Sequence, residues 1–239
     1  MSAAIAAALA PTGRLRVAVW TVPYFAVEQG GMLAGIVPDL GAEFARRIGV
    51  PADFLRCATP GALIEAFRSG AADLTFVGVT AGRAEAIDFG PVLLDIATSY
   101  LVPASSPIAC IADVDSAGVR ILVPAASAQE AHLRKALAHA TLIPVAPESP
   151  AGAINLLAAG AAEAFSHVVP MLAAAQRDLP GSRILPGSTF NVPIAIGIAK
   201  GRPPAAREYA RKFADDVKAS GFVQQAIARA GITGIVIAK

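Results

Sequence analysis

The segment Asp73 to Phe89, DLTFVGVTAGRAEAIDF, delivers one arginine, Arg83, just past an apolar run. A guanidinium is a planar fork able to give a carboxylate two parallel charge-assisted hydrogen bonds, so an arginine fixed at a strand end is suited to anion binding. The run after Asp73 predicts a buried strand, and Gly78 and Gly82 are expected to let the backbone turn closely at its end. In open α/β sheets the strand ends are where binding crevices form. The competing chemistry for Arg83 is an ordinary ion pair with Glu85 or Asp88.

Other residues offer weaker chemistry. Ser127 follows an apolar run and a PAA turn and precedes a helical pattern from Ala128 to Ala140, which predicts a helix N-cap. The unbonded N–H groups at that helix start, from Ala128 onward, form an anion site that needs no charged side chain, and with Arg83 they could hold one carboxylate. His167 follows a predicted strand and reads either as a satisfied core residue or as a ligand contact. His132 and His139 recur at heptad spacing on the predicted helix and are expected on an exposed or semi-exposed helix surface. No cysteine or acidic residue stands at ligand spacing to them, so neither a metal site nor a cofactor is expected. Trp20, Tyr24 and Phe25 cluster after the first predicted strand, as a hydrophobic staple or as the wall of a site.

The elements that must position these residues read as an alternation of strands and helices. Strands are predicted near Leu15 to Trp20, Asp53 to Arg56, Leu74 to Val77, Thr98 to Val102, Val119 to Val123, Leu142 to Val145, Ala164 to His167 and Ile194 to Ala199. A helix is expected to open at Pro38 and Asp39 and end near Gly49, and two more to occupy Pro204 to Ser220 and Phe222 to Ala230. AFRSGAADLTF (Ala66 to Phe76) and LLAAGAAEAFS (Leu156 to Ser166) share a helix end, a glycine, two alanines, an acid and an apolar strand. This internal similarity suggests two lobes built on like units, with the strand ends at Phe76 to Gly78 and Ser166 to Val168 in equivalent roles. The expected division is residues 1–95 and 191–239 in lobe one and 96–190 in lobe two, with crossings at Asp95 to Pro103 and Phe190 to Ala199.

Composition excludes several classes. A formal net charge of +2 with scattered basic residues argues against nucleic-acid binding. Hydrophobic content of 55% comes largely from alanine, and no run approaches the roughly 20 apolar residues of a membrane span. Cys57 and Cys110 are too few for a disulfide framework and are expected to be free and buried. The N-terminal MSAAIAAALAPTG lacks the basic start and longer apolar stretch of a secretory signal.

On Asp73, Thr80, Arg83, Asp88 and Phe89 the segment resembles the signature of the family 3 extracellular solute-binding proteins, receptors of polar amino acid ABC importers. LRVAVW (Leu15 to Trp20), GMLAGIVPDLGAEFARRIGV (Gly31 to Val50) and VRILVPAASAQEAHL (Val119 to Leu133) resemble further parts of it, so that the likeness runs from Leu15 to Phe222. It implies an α/β, two-lobed, type II periplasmic-binding-protein-like fold that closes by a hinge, a permease as partner, a monomer, and a periplasmic location. If Met1 is the native start, the weak leader points to the cytoplasm instead. The implied ligand-binding set is Arg83, Gly78, Thr80, Phe76, Ser127, Ala128, His167, Trp20 and Phe25.

Departures from the family pattern carry as much information. Where amino-acid receptors of this kind place an aspartate against the ligand's ammonium, this chain has Val168. Gly78 stands where a threonine is expected and Pro60 where a tryptophan-like residue is expected. The expected ligand is therefore a small organic anion or amino-acid-like molecule other than an ordinary α-amino acid. The alternative implied by the resemblance is a lyase similar to cyclohexadienyl dehydratase, with His167 as its obvious acid or base.

Overall fold

The computed structural model describes residues 3–125, 127–146 and 150–238. In chain order the elements are α1 (Ala3–Leu9), β1 (Leu15–Trp20), β2 (Val27–Gln29), β3 (Met32–Ala34), α2 (Ile36–Ile48), β4 (Ala52–Cys57), α3 (Pro60–Arg68), β5 (Leu74–Gly78), α4 (Ala81–Ala84) and β6 (Ile87–Val102). After a short 3-10 turn come β7 (Arg120–Pro124), α5 (Ala128–Ala136), β8 (Thr141–Val145), α6 (Pro150–Ala158), β9 (Ala164–Val168), α7 (Val169–Gln176) and β10 (Arg183–Ile184). The chain ends with β11 (Asn191–Ala199), α8 (Pro204–Ala219), α9 (Phe222–Ala230) and β12 (Ile235–Ile237). They divide into two compact units, Met1–Asp95 with Pro193–Lys239, and Ile96–Val192.

In the first unit the strand order is β4-β1-β5-β11. β1 pairs in parallel with β4 and β5, whereas β11 runs antiparallel to β5 with Ile196 opposite Phe76. Every residue of β5 is buried, as expected for a strand covered on both faces. The amphipathic α2 presents Val37, Leu40, Phe44 and Ile48 to the core and stops at Gly49, whose left-handed φ of 73° closes the helix. Phe213 of α8 meets Phe44 at 4.7 Å and Phe76 at 6.4 Å between ring centroids, giving this unit an aromatic centre. The N-terminal α1 packs on α8 and buries Leu9.

In the second unit the order is β6-β9-β7-β8, with β7 parallel to both β8 and β9. Tyr100, Ile121, Val123, Ala164 and Leu133 pack on one face of this sheet. Leu101, Leu122, Phe165, Leu157 and Leu172 pack on the other, as strand alternation requires.

The duplicated sequence unit recurs in the backbone. Gly70 and Gly160 both sit at φ 71° after α3 and α6. The next residue donates back into the helix in each case, Ala71 to Ala66 at 2.8 Å and Ala161 to Leu156 at 2.9 Å, which is the Schellman closure. Each acid then clamps the start of a neighbouring strand, β1 for Asp73 and β7 for Glu163. Asp73 accepts from the Arg16 backbone N–H at 3.0 Å and from its Nε and Nη2 at 2.9 and 2.8 Å. Glu163 accepts from the Arg120 backbone N–H at 2.7 Å and from its Nε and Nη2 at 3.1 and 2.7 Å. Asp73, fully buried, also takes Arg202 Nη2 at 2.6 Å.

Three expectations need correction. α5 stops at Ala136 instead of running to Ala140, because Asp115 accepts the backbone N–H groups of Ala138, His139 and Ala140 and pulls the chain out of the helix. These bonds hold the Asp115 carboxyl down to about 2. His139 therefore lies beyond the helix, and His132 is half-buried, stacked on Phe190 at 4.2 Å. Cys57 is buried, but Cys110 is exposed. Lastly, the strand expected from Thr98 begins at Ile87. Its early part, IDFGP, carries the residues that usually punctuate a strand, while long-range partners such as β12 hold it in line.

Candidate functional site

The Arg83 site is built by the end of β5. After Gly78 the Thr80 hydroxyl caps the one-turn helix α4 by accepting the Arg83 N–H at 3.3 Å. That cap turns the Arg83 side chain back over the strand end, where Nη1 donates to the Gly78 carbonyl at 2.8 Å. Neither Gly78 nor Gly82 adopts a positive φ, and Gly82 lies inside α4, so the turn is made by the Thr80 cap and not by glycine-only backbone as expected.

The ion-pair alternative for Arg83 is absent among the described residues. Glu85 pairs with Arg68 at 2.9 Å, and Asp88 lies 3.8 Å from Arg207. Arg83 has no carboxylate within ion-pair distance there, and the Nη1 bond to Gly78 is its one side-chain hydrogen bond. Partial burial lowers its pKa, as for a cation that loses part of its water without a counter-charge. Its Cζ sits 5.7 Å over the ring of Trp20, a contact that offsets part of that cost.

The aromatic cluster splits by role. Trp20 is half-buried; Tyr24 and Phe25 are buried, with centroids 4.6 Å apart and 6.4 and 6.1 Å from Trp20. The loop is pinned by Gly35, whose φ is 135° and where a Cβ would lie 2.6 Å from the Phe25 carbonyl oxygen. Phe25 is thus core packing beneath the site. Phe76 likewise belongs to the core, 1% exposed beside Phe213, so its side chain is not at the surface the sequence suggested.

In the second unit Ser127 is the N-cap of α5, its hydroxyl accepting the Glu130 N–H at 3.0 Å. Ala128 opens the helix and is half-exposed beside its first N–H groups. Ala126, just before, lies outside the described residues. His167, near the end of β9, accepts the Val168 N–H on Nδ1 at 2.8 Å, which leaves the hydrogen on Nε2. Its ring meets Phe165 edge-on at 5.6 Å, and desolvation pushes its pKa down to about 4, so the imidazole is neutral at pH 7. Val168 is buried and brings no polar group. Among the described residues no cluster of three or more His, Cys, Asp or Glu could hold a metal.

Two α/β units, each with parallel strands at its core, have the architecture of the type II periplasmic-binding-protein class. The chain belongs to the bacterial extracellular solute-binding proteins, family 3, whose sequence model matches residues 15–230. Its fold is similar to the solute receptor for L-cysteine of Neisseria gonorrhoeae, at 22% identity and TM-score 0.75, covering 98% of this chain and 99% of that one. It is also similar to a putative ABC-transporter binding component from Wolinella succinogenes complexed with lysine, at 20% identity, TM-score 0.74, and 91% and 95% coverage. An ancestral amino acid-binding protein described as a precursor of cyclohexadienyl dehydratase matches at 20% identity, TM-score 0.73, and 94% and 97% coverage. No curated protein matches the sequence significantly.

Proposed function

We propose that the chain is the solute receptor of an ABC importer, that it works outside the cytoplasm as a monomer, and that it captures a small organic anion at Arg83. The observation that carries this reading is the state of Arg83 itself. A partly buried guanidinium held in place by a helix cap and left without a carboxylate among the described residues gains most when a ligand supplies the anion.

Ordinary α-amino acids fit poorly. The neighbours complexed with amino acids share the fold at a low level of identity, and Val168 stands where the family resemblance expects an aspartate. A ligand ammonium facing Val168 would lose water and find no counter-charge there. The lyase alternative asks for an acid or base poised near neutral pH. His167 is neutral well below that range and already accepts a backbone N–H on Nδ1, which favours binding over catalysis.

A thermal-shift screen of organic acids against amino acids, run on the wild type and on Arg83→Ala, tests the proposal. Organic acids should raise the melting temperature of the wild type and leave that of Arg83→Ala unchanged. An α-amino acid that stabilises both proteins equally would remove it.

A further inference from the structure

Tyr24 has a hydroxyl with nothing to do. The residue is 5% exposed, yet its oxygen makes no hydrogen bond within the described chain. Ser166 Oγ is the one sealed side-chain polar atom lacking a partner among the described residues, so the Tyr24 oxygen is not sealed and remains open to solvent. Its ring contacts Trp20 at 6.4 Å, and Trp20 in turn carries the Arg83 guanidinium at 5.7 Å.

The phenol and the guanidinium both contact the Trp20 ring, which places them in one neighbourhood. Burial drives the Tyr24 pKa upward, so the hydroxyl keeps its hydrogen at physiological pH and can only donate to an anion. Arg83 and Tyr24 are thus two unspent donors around one indole. Apolar surface lies beside them, with Trp20 half-buried and Val79 41% exposed, and the nearby acids Glu85 and Asp88 face other arginines.

Resting on the Arg83 reading, we infer that the Tyr24 hydroxyl is a second donor to the same bound anion and that the ligand is a carboxylate on a flat apolar body without an amine. Each half follows from a different feature. Two neighbouring donors match the two oxygens of one carboxylate. An indole edge and an exposed valine offer apolar contact to the remainder, and the acids that flank Arg83 in the chain, Glu85 and Asp88, already face Arg68 and Arg207.

Trp20 is the single tryptophan of the chain, so its emission reports on this site alone. Fluorescence titration with hydrocinnamate, L-phenylalanine and propionate separates the contributions of the ring and the amine, while Arg83→Ala tests the carboxylate. Hydrocinnamate should give a saturable change, and both others should bind at least about tenfold more weakly. Tyr24→Phe, which deletes only the hydroxyl, should weaken hydrocinnamate by about tenfold or more. Equal binding of propionate or L-phenylalanine, or no saturable change with hydrocinnamate, overturns the ligand class. An unchanged Kd in Tyr24→Phe overturns the second donor, and an unchanged Kd in Arg83→Ala overturns the underlying reading as well.

Discussion

Arg83 and Val168 set the chemistry at the residue scale. Because Arg83 is spared any carboxylate among the described residues, its removal relieves a partly buried charge while giving up the Gly78 bond and the Trp20 contact, so these offset in the free protein and the loss falls on the ligand. Arg83→Ala is therefore expected to lose about 2 to 5 kcal/mol of binding with an unchanged urea midpoint. Arg83→Lys should bind nearly as badly, since an ammonium cannot reproduce the planar two-bond grip or the stacking on Trp20. Parallel calorimetry and urea melts distinguish this from a structural role, in which both variants would unfold more easily. Val168→Asp carries the converse expectation. A carboxylate there should create measurable affinity for α-amino acids at the expense of amine-free acids, and calorimetry showing no change in that preference would count against the position.

At the scale of elements the two units use one device at different depths. Asp73 is fully buried and bridges Arg16 of β1 to Arg202, which ties the chain entering α8 back to the sheet. Breaking a buried pair strands the partners, so Asp73→Asn should cost on the order of 3 kcal/mol of stability. The Arg120–Glu163 clamp is similar in geometry, but its side chains are 42% and 34% exposed. Solvent screens it, and Glu163→Gln should cost about 1 kcal/mol or less. Denaturant titration of the two variants side by side checks the ratio; equal losses would mean that burial does not govern the strength of the clamp.

For the whole molecule, acid sensitivity should begin above the carboxylate range. The folded His167 titrates at about 4 against a usual value of 6.5, so as pH falls through this window the unfolded chain gains a proton that the folded chain refuses. Stability must then fall with falling pH, because the unfolded state binds more protons. Asp115, held to about 2 by backbone N–H groups, and Glu43, held to about 2 chiefly by Arg46, act with the same sign in a lower window. Their contributions are present above the ordinary carboxylate values and are lost only at lower pH. The drop in urea midpoint between about pH 7 and about pH 5 should therefore shrink in His167→Gln. An identical drop in the variant would assign the acid sensitivity elsewhere.

Local pattern was enough for much of this. Leu15–Trp20, Pro204–Ala219 and Phe222–Ala230 are legible because each segment's own periodicity and capping residues suffice, and the paired GAAD and GAAE units announce their common closure in the chain itself. Arg83 was legible too, as an arginine just beyond an apolar strand. Its state was not, since whether it is paired depends on Arg68 and Arg207 reaching the neighbouring acids from other elements. The same holds for His139, freed from a helix by Asp115, and for IDFGP, kept extended by strands far along the chain. Sequence determines what a segment prefers and which groups it carries; the tertiary fold decides which charges meet and which are left for a ligand, because those pairings are made between residues that share no local signal.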